Sequence, residues 1–280
     1  LTTGLSMQSR GRVRGFFAVC LLAVLAGCAS APPASVALSA QADTRWQRHA
    51  LAGAGLPLVY WQPRQPLAGQ TLVVYLEGDG RAYASRDIVS ADPTPQQALA
   101  LQLALVDVRP NIAYLGRPCQ YGGAGRLPCA PRYWSSHRFA PEVVDSLMLA
   151  LDRLKAETGA GSLELIGYSG GGALAVLLAA RRSDVIVLQT VAGNLDHVAW
   201  TRQLGLTPLS GSLNAADVLP AIAHIRQTHW VGEADRVVPP VLTEGLLARH
   251  ALAASIRQVN AAHFNGWEAF WQSLSGRRLP

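Results

Sequence analysis

Apolar residues along this chain fall into short runs, separated by longer stretches in which they recur every third or fourth position. Thr71–Leu76 (T-L-V-V-Y-L, β-branched and aromatic), Asn111–Leu115, Leu163–Ile166, Asp184–Val191 and Gln227–Val231 are such runs and predict strands, and Ser255–Asn260 is expected to be the last strand. Trp46–Ala52 and Leu56–Trp61, split by Gly53-Ala54-Gly55, predict an opening hairpin. Helical spacing appears in Pro95–Val106 through Ala98, Leu101 and Leu105. It is strongest in Ala140–Thr158, where Val144, Leu147, Leu151 and Leu154 mark one face. In that stretch Pro141 suits the first turn, Glu142 suits the positive end of the helix, and Gly159-Ala160-Gly161 stops it. An alanine- and leucine-rich run leads to Arg182, and Gly266–Leu274 closes the chain with Trp267, Phe270, Trp271 and Leu274 on one side. Strands that alternate with helices over most of the length imply an α/β fold, with a mostly parallel central sheet and helices on both faces. Thr201–Ile222, interrupted by Pro208, Gly211 and Pro220, is expected to be a connection with short helical turns, and Gly116–His137 a long irregular excursion.

Composition narrows this picture. The 280 residues are half hydrophobic and 15% charged, enough for one well-packed domain, placed here over residues 46–280. The formal charge of +6 overstates the basic character. Setting aside Arg10, Arg12 and Arg14 leaves 21 basic side chains against 18 acidic ones. The remaining arginines are scattered and form no basic stripe with stacking aromatics, so a nucleic-acid partner is not expected. No H-E-x-x-H string or dense His/Asp ligand cluster occurs, and Gly78-Asp79-Gly80 lacks the third glycine of a dinucleotide fingerprint, so neither a metal nor a cofactor is expected.

Arg10, Arg12 and Arg14 precede the uncharged run Gly15–Gly27, which is too short to span a bilayer that needs about 20 apolar residues. A basic segment, a short apolar core and small residues make a secretory signal over residues 1–27. Its end, Leu25-Ala26-Gly27-Cys28, resembles the lipobox of bacterial lipoprotein signal peptides. That resemblance implies lipidation of Cys28 and a membrane anchor, and Ala29 at the next position implies the outer membrane, with the domain facing the periplasm. Residues 28–45, rich in Ala, Pro and Ser, are expected to be a flexible tether. Cys119 and Cys129 lie in the irregular excursion, and export to an oxidising compartment favours a disulfide between them over a zinc site. The excursion, taken as 116–138, is expected to form a wall or lid over a pocket.

The chemistry centres on Ser162–Arg182. There an apolar strand runs into Gly167-Tyr168-Ser169-Gly170-Gly171, and a helix follows. This is the G-x-S-x-G pattern, in which a serine sits on a turn too sharp for ordinary side chains two positions before and after it. The turn lifts the Ser169 hydroxyl clear of the sheet and aims the Gly170 N–H at the same space. A serine hydroxyl needs a base, and the base needs an orienting acid. Asp235, in G-E-A-D-R-V-V-P, and His263, in A-A-H-F, each follow a predicted strand, as Ser169 does, so all three fall at one edge of a parallel sheet.

These strings resemble the α/β-hydrolase superfamily over about residues 46–275, in which nucleophile, acid and histidine follow in that order. The resemblance implies Ser169 as nucleophile, His263 as general base and acid, and Asp235 as the residue that orients it. It also implies an oxyanion hole from the N–H groups of Gly170 and Asp79, the latter in Glu77-Gly78-Asp79-Gly80 after an early strand; the family often has His-Gly there where this chain has Glu-Gly. Asp196, after the preceding strand, is a rival acid. His197, His229 and His137 are rival histidines, read respectively as a cap or surface residue, a core residue and a residue of the lid loop. The implied activity is hydrolysis of a carboxylic ester through an acyl-enzyme, by a monomer acting on a small acyl ester. An acyltransferase using the same residues and a binding protein on this scaffold are the alternatives.

Overall fold

A computed structural model of the chain describes residues 1–4, 33–53, 55–250 and 255–275. The charged and apolar parts of the signal segment, and Cys28, lie outside the described residues. The fold below is that of Pro33–Pro280.

Helix α1 (Ala34–Arg45) leads directly into strand β1 (Trp46–Leu51), which pairs antiparallel with β2 (Leu58–Pro63). The tether expected over 28–45 is therefore corrected from residue 34 onward. Alanine-rich sequence has high helix propensity, and this helix is pinned by Ala42, buried with Trp46 and Trp61, and by Asp43, which accepts from Trp61 Nε1 at 2.7 Å.

Strands β3 (Thr71–Leu76), β6 (Ile112–Leu115), β7 (Ser162–Tyr168), β8 (Val185–Val191), β9 (Arg226–Gly232) and β10 (Ser255–Val259) are all parallel. With β1 and β2 they form one eight-stranded sheet in the order β1-β2-β6-β3-β7-β8-β9-β10. A small exposed hairpin, β4 (Tyr83–Ser85) with β5 (Ile88–Val89), stands apart from it.

The two faces of the sheet carry two cores, as strand alternation requires. Leu72, Val74 and Leu76 face α3 (Pro141–Thr158) and α4 (Gly170–Ala179), through Val144, Leu147 and Leu151 among others. Val73 and Tyr75 face α2 (Leu99–Val106) and α7 (Trp267–Ser275), where Trp267 and Trp271 are fully buried. Helix α3 ends at Gly159 with φ 64°, a left-handed stop that glycine takes without a Cβ penalty. Helices α5 (His197–Leu204) and α6 (Pro240–His250) complete the fold.

Register determines what meets at the C-terminal rim of the sheet. Leu76 of β3 lies beside Gly167 of β7, Tyr168 beside Val191 of β8, Val191 beside Trp230 of β9, and Gly232 beside Val259 of β10. The loops after β3, β7, β9 and β10 therefore leave the sheet at one rim, with β8 between the two pairs.

Candidate active site

The first of these loops to build is the turn after β7. Ser169 sits at φ 51° and ψ −120°, a left-handed conformation that costs a non-glycine residue about 1–3 kcal/mol. The turn is held from both sides. The Ser169 N–H donates to Val191 O at 2.9 Å, and its carbonyl accepts from Gly172 N–H at 2.9 Å and Asn194 N–H at 3.0 Å. A Cβ on Gly167 would stand 2.2 Å from Gly171 O, and one on Gly171 would stand 2.4 Å from Leu76 O, so glycine is required at both positions.

His263 reaches this turn from the loop after β10. Its Nε2 lies 3.1 Å from Ser169 Oγ, and its Nδ1 lies 2.8 Å from Asp235 Oδ2. Asp235 Oδ1 accepts the Val237 and Val238 N–H groups, both at 2.8 Å. The carboxylate is thereby fixed with one oxygen left for the imidazole, and that contact sets Nδ1 as the protonated nitrogen and Nε2 as the acceptor toward serine. Tyr168 Oη and Trp267 Nε1 donate to the His263 carbonyl at 3.0 and 3.2 Å and hold the histidine loop in place. All three members of the constellation are buried.

The loop after β3 supplies the other side. Among the described residues, the N–H groups of Asp79 and Gly170 donate no hydrogen bond within the chain. The Asp79 carboxylate is clamped between two arginines: Arg117 Nη1 contacts Oδ1, and Arg138 Nη1 donates to Oδ2 at 2.6 Å. Burial pushes this carboxyl up, but Arg138 and Arg117 outweigh burial and hold it below the ordinary range. Glu77, where the family often carries histidine, is fully buried. It accepts from the Gly78 N–H at 2.8 Å, from Tyr114 Oη at 2.9 Å, and more weakly from the Ala100 and Leu101 N–H groups at the start of α2. Burial raises its pKa against these four donors. Glu77 thus ties the loop to a helix N-terminus and to β6. Gly80, at φ 66°, lets the chain turn away where a Cβ would meet Pro93 O at 2.1 Å.

The rivals are placed elsewhere. Asp196 caps α5 by accepting from Ala199 N–H at 3.0 Å and pairs with Arg249. His197 is buried beside Phe139, and burial lowers its pKa. His229 lies within β9 with Nδ1 at 2.9 Å from Thr190 Oγ1. His137 bonds Ser136, and its ring covers Gly211. None of the four lines the cleft of about 480 Å³ that opens over Ser169 and His263. No group of three His, Cys, Asp or Glu residues suited to a metal occurs among the described residues.

Cys119 and Cys129 are disulfide-bonded. Their excursion does not roof the cleft as expected for 116–138. Of that stretch only Arg138 lines it. The excursion packs beneath the β3 loop instead, through Arg117 on Asp79 and Gln120 Nε2 on Gly78 O at 3.2 Å. The cleft wall is built from the β3 loop, the β4 hairpin residue Tyr83, and Trp200, Val237, Val238 and Phe264. Arg117 and Arg138 escaped the sequence reading because nothing local marks an arginine that will pair with a carboxylate from another strand.

No protein-family model matches the chain, and no curated protein matches it. Solved structures do resemble it. An α/β hydrolase, GrgF from Penicillium sp. sh18, aligns with a TM-score of 0.60 at 13% identity over 84% of this chain and 96% of its own. The Pyrococcus furiosus esterase Pf2001 aligns at 0.56 and 11% identity over 84% and 91%. A structure described as a membrane phospholipase A, a bacterial virulence factor, aligns at 0.54 and 17% identity over 93% and 96%. With its mostly parallel eight-stranded sheet, the chain has the α/β-hydrolase fold.

Proposed function

We propose that this protein is a serine hydrolase that cleaves carboxylic esters through an acyl-enzyme. The observation that carries the proposal is the unbroken contact from Asp235 Oδ2 to His263 Nδ1, and from His263 Nε2 to Ser169 Oγ, at 2.8 and 3.1 Å. Ser169 Oγ attacks the acyl carbon while His263 Nε2 takes its proton. The carbonyl oxygen becomes an oxyanion and is received by the N–H groups of Gly170 and Asp79, which have no other acceptor among the described residues. The bond to the alkoxide leaving group breaks, and His263 gives that group its proton. Water then adds to the acyl-serine as His263 takes a second proton, and collapse of the second tetrahedral species returns Ser169 and releases the acid. Throughout, Asp235 stabilises the imidazolium. The esterases and hydrolases among the structural neighbours support the same class of reaction.

A p-nitrophenyl ester series of increasing acyl length tests this. Hydrolysis is expected, and Ser169→Ala and His263→Ala are each expected to reduce kcat/KM by about a thousandfold or more. Absence of hydrolysis across the series, or full activity in either variant, contradicts it.

The sequence at Leu25–Cys28 supports a second part of the proposal, that Cys28 is lipidated and ties the domain to the periplasmic side of an outer membrane. Metabolic labelling with tritiated palmitate is expected to mark the chain and to be lost in Cys28→Ala. The three side chains and two N–H donors of the site come from one chain, so no second copy is needed to complete it; we take the protein to act as a monomer, and sedimentation of the active protein tests that reading.

A further inference from the structure

The cleft over Ser169 is unevenly charged, and the imbalance is one of partners rather than of residue counts. Its carboxylates are already engaged. Glu77 takes four donors from the loop, α2 and Tyr114, and Asp79 is held by Arg117 and Arg138. Its guanidinium groups keep donors to spare. Arg138 is 6% exposed, with Nε on Ser135 O at 2.8 Å and Nη1 on Asp79 Oδ2. Among the described residues its Nη2 has no partner, and it is not sealed away from solvent. A guanidinium carries five N–H donors in a fixed fork, so Arg138, which lines the cleft, has its Nη2 donors left over after Asp79 and Ser135 are served. Arg81, at the mouth of the same cleft, is exposed and makes no side-chain hydrogen bond or ion pair with any described residue. Asn194, 4% exposed, also lines the cleft with a side-chain amide that has no partner among the described residues.

We infer that the cleft recognises an anionic oxygen group, a carboxylate or a phosphate, carried by the ester substrate close to the bond that is cleaved, with Arg138 as its principal partner and Arg81 as a second at the mouth. This deepens the esterase reading and rests on it. The position follows from Asp79. Its Oδ2 takes Arg138, while its Oδ1 lies 2.1 Å from where a Cβ on Gly170 would stand. Arg138 and the Gly170 turn thus stand on the two oxygens of one carboxylate. A near-buried cation with free donors gains more from an anion than an exposed one does, because water competes less there.

The test compares mono-p-nitrophenyl glutarate with p-nitrophenyl pentanoate, which have the same acyl length with and without a carboxylate, using the full chain with spontaneous hydrolysis subtracted. The wild type is expected to favour the glutarate ester at least about tenfold in kcat/KM, mostly through KM. Arg138→Gln is expected to bring that ratio to about one, Arg138→Lys to keep part of it, and Arg81→Gln to lower it a few-fold. A wild-type ratio of one or less overturns the inference while leaving the esterase reading intact. So does an Arg138→Gln variant that slows both esters equally, since Arg138 then only props Asp79. A binding arm does not need turnover: free glutarate and inorganic phosphate are added separately, and the thermal midpoint is followed. Stabilisation by glutarate alone identifies a carboxylate site, and stabilisation by phosphate identifies a phosphate site. Either effect must vanish in Arg138→Gln, and be only reduced in Arg138→Lys, to support the inference. No shift with either anion in the wild type overturns it even if no ester is cleaved.

Discussion

Gly170 and Asp79 follow different strands, yet a Cβ on Gly170 would lie 2.1 Å from Asp79 Oδ1 and 2.9 Å from Arg117 Nη1. The residue after the nucleophile is therefore a glycine for a reason beyond the turn itself: it leaves room for a clamped carboxylate. Gly170→Ala must displace that carboxylate or the turn, and with it one of the two free N–H groups. The expected result is a loss of about a hundredfold in kcat for p-nitrophenyl ester hydrolysis, the scale of one misplaced oxyanion donor. Retained kcat would show that the clamp and the N–H groups are independent.

Asp79 itself is the counter-charge of two buried guanidinium groups. Asp79→Asn leaves both without it, and the cost of an uncompensated buried charge is about 3 kcal/mol or more. Urea unfolding at neutral pH measures this. Because the folded carboxyl is held below its ordinary range, its contribution is present above the unfolded-state pKa and is lost as pH falls through the folded one. The variant is expected to approach the wild type only in strong acid.

His229 is buried within β9, and desolvation lowers its pKa from 6.5 to about 4. The unfolded chain takes up this proton from about pH 6.5 downward, whereas the folded imidazole does so only near 4. Stability is thus lost as pH falls between those values, by up to about 3 kcal/mol, and is constant with respect to this group on either side. His229→Gln removes the titration. Its unfolding free energy is expected to vary less between pH 7 and pH 4.5 than that of the wild type.

The Cys119–Cys129 disulfide closes a short loop whose Gln120 holds Gly78 O. The double variant Cys119→Ala, Cys129→Ala is expected to lose about 3 kcal/mol of stability by the chain-entropy relation, together with a few-fold fall in activity as the β3 loop loosens. Loss of stability with no change in activity would separate the staple from the site.

Much of this was legible in the sequence, for reasons particular residues make plain. Thr71–Leu76 was read at the same bounds that the structure shows, because a buried parallel strand is a continuous β-branched run. Ser169, Asp235 and His263 each follow such a run, so their convergence required only that the sheet be parallel. Gly167 and Gly171 were read as sterically required, and their close carbonyl contacts bear that out. What stayed hidden depended on partners distant in sequence. Helix α1 was read as a tether because only two of its residues are buried and it lacks an apolar stripe. Helix α6 was not singled out, since its sequence PVLTEGLLARH mixes β-branched residues and glycine into the helical pattern. The hairpin β4–β5 is too short and exposed to leave a pattern. The pairing of Arg117 and Arg138 with Asp79 has no periodic signature, because tertiary ion pairs are set by packing and not by spacing.

The central claim is that one hydroxyl, raised on the turn after β7 and served by His263, is the nucleophile. Labelling with a fluorophosphonate, followed by intact mass and peptide mapping, tests it most directly. The account predicts a single adduct on Ser169, none on Ser169→Ala, and labelling at least about a hundredfold slower in His263→Ala. Labelling that persists unchanged in Ser169→Ala, or proceeds at the wild-type rate in His263→Ala, would contradict it.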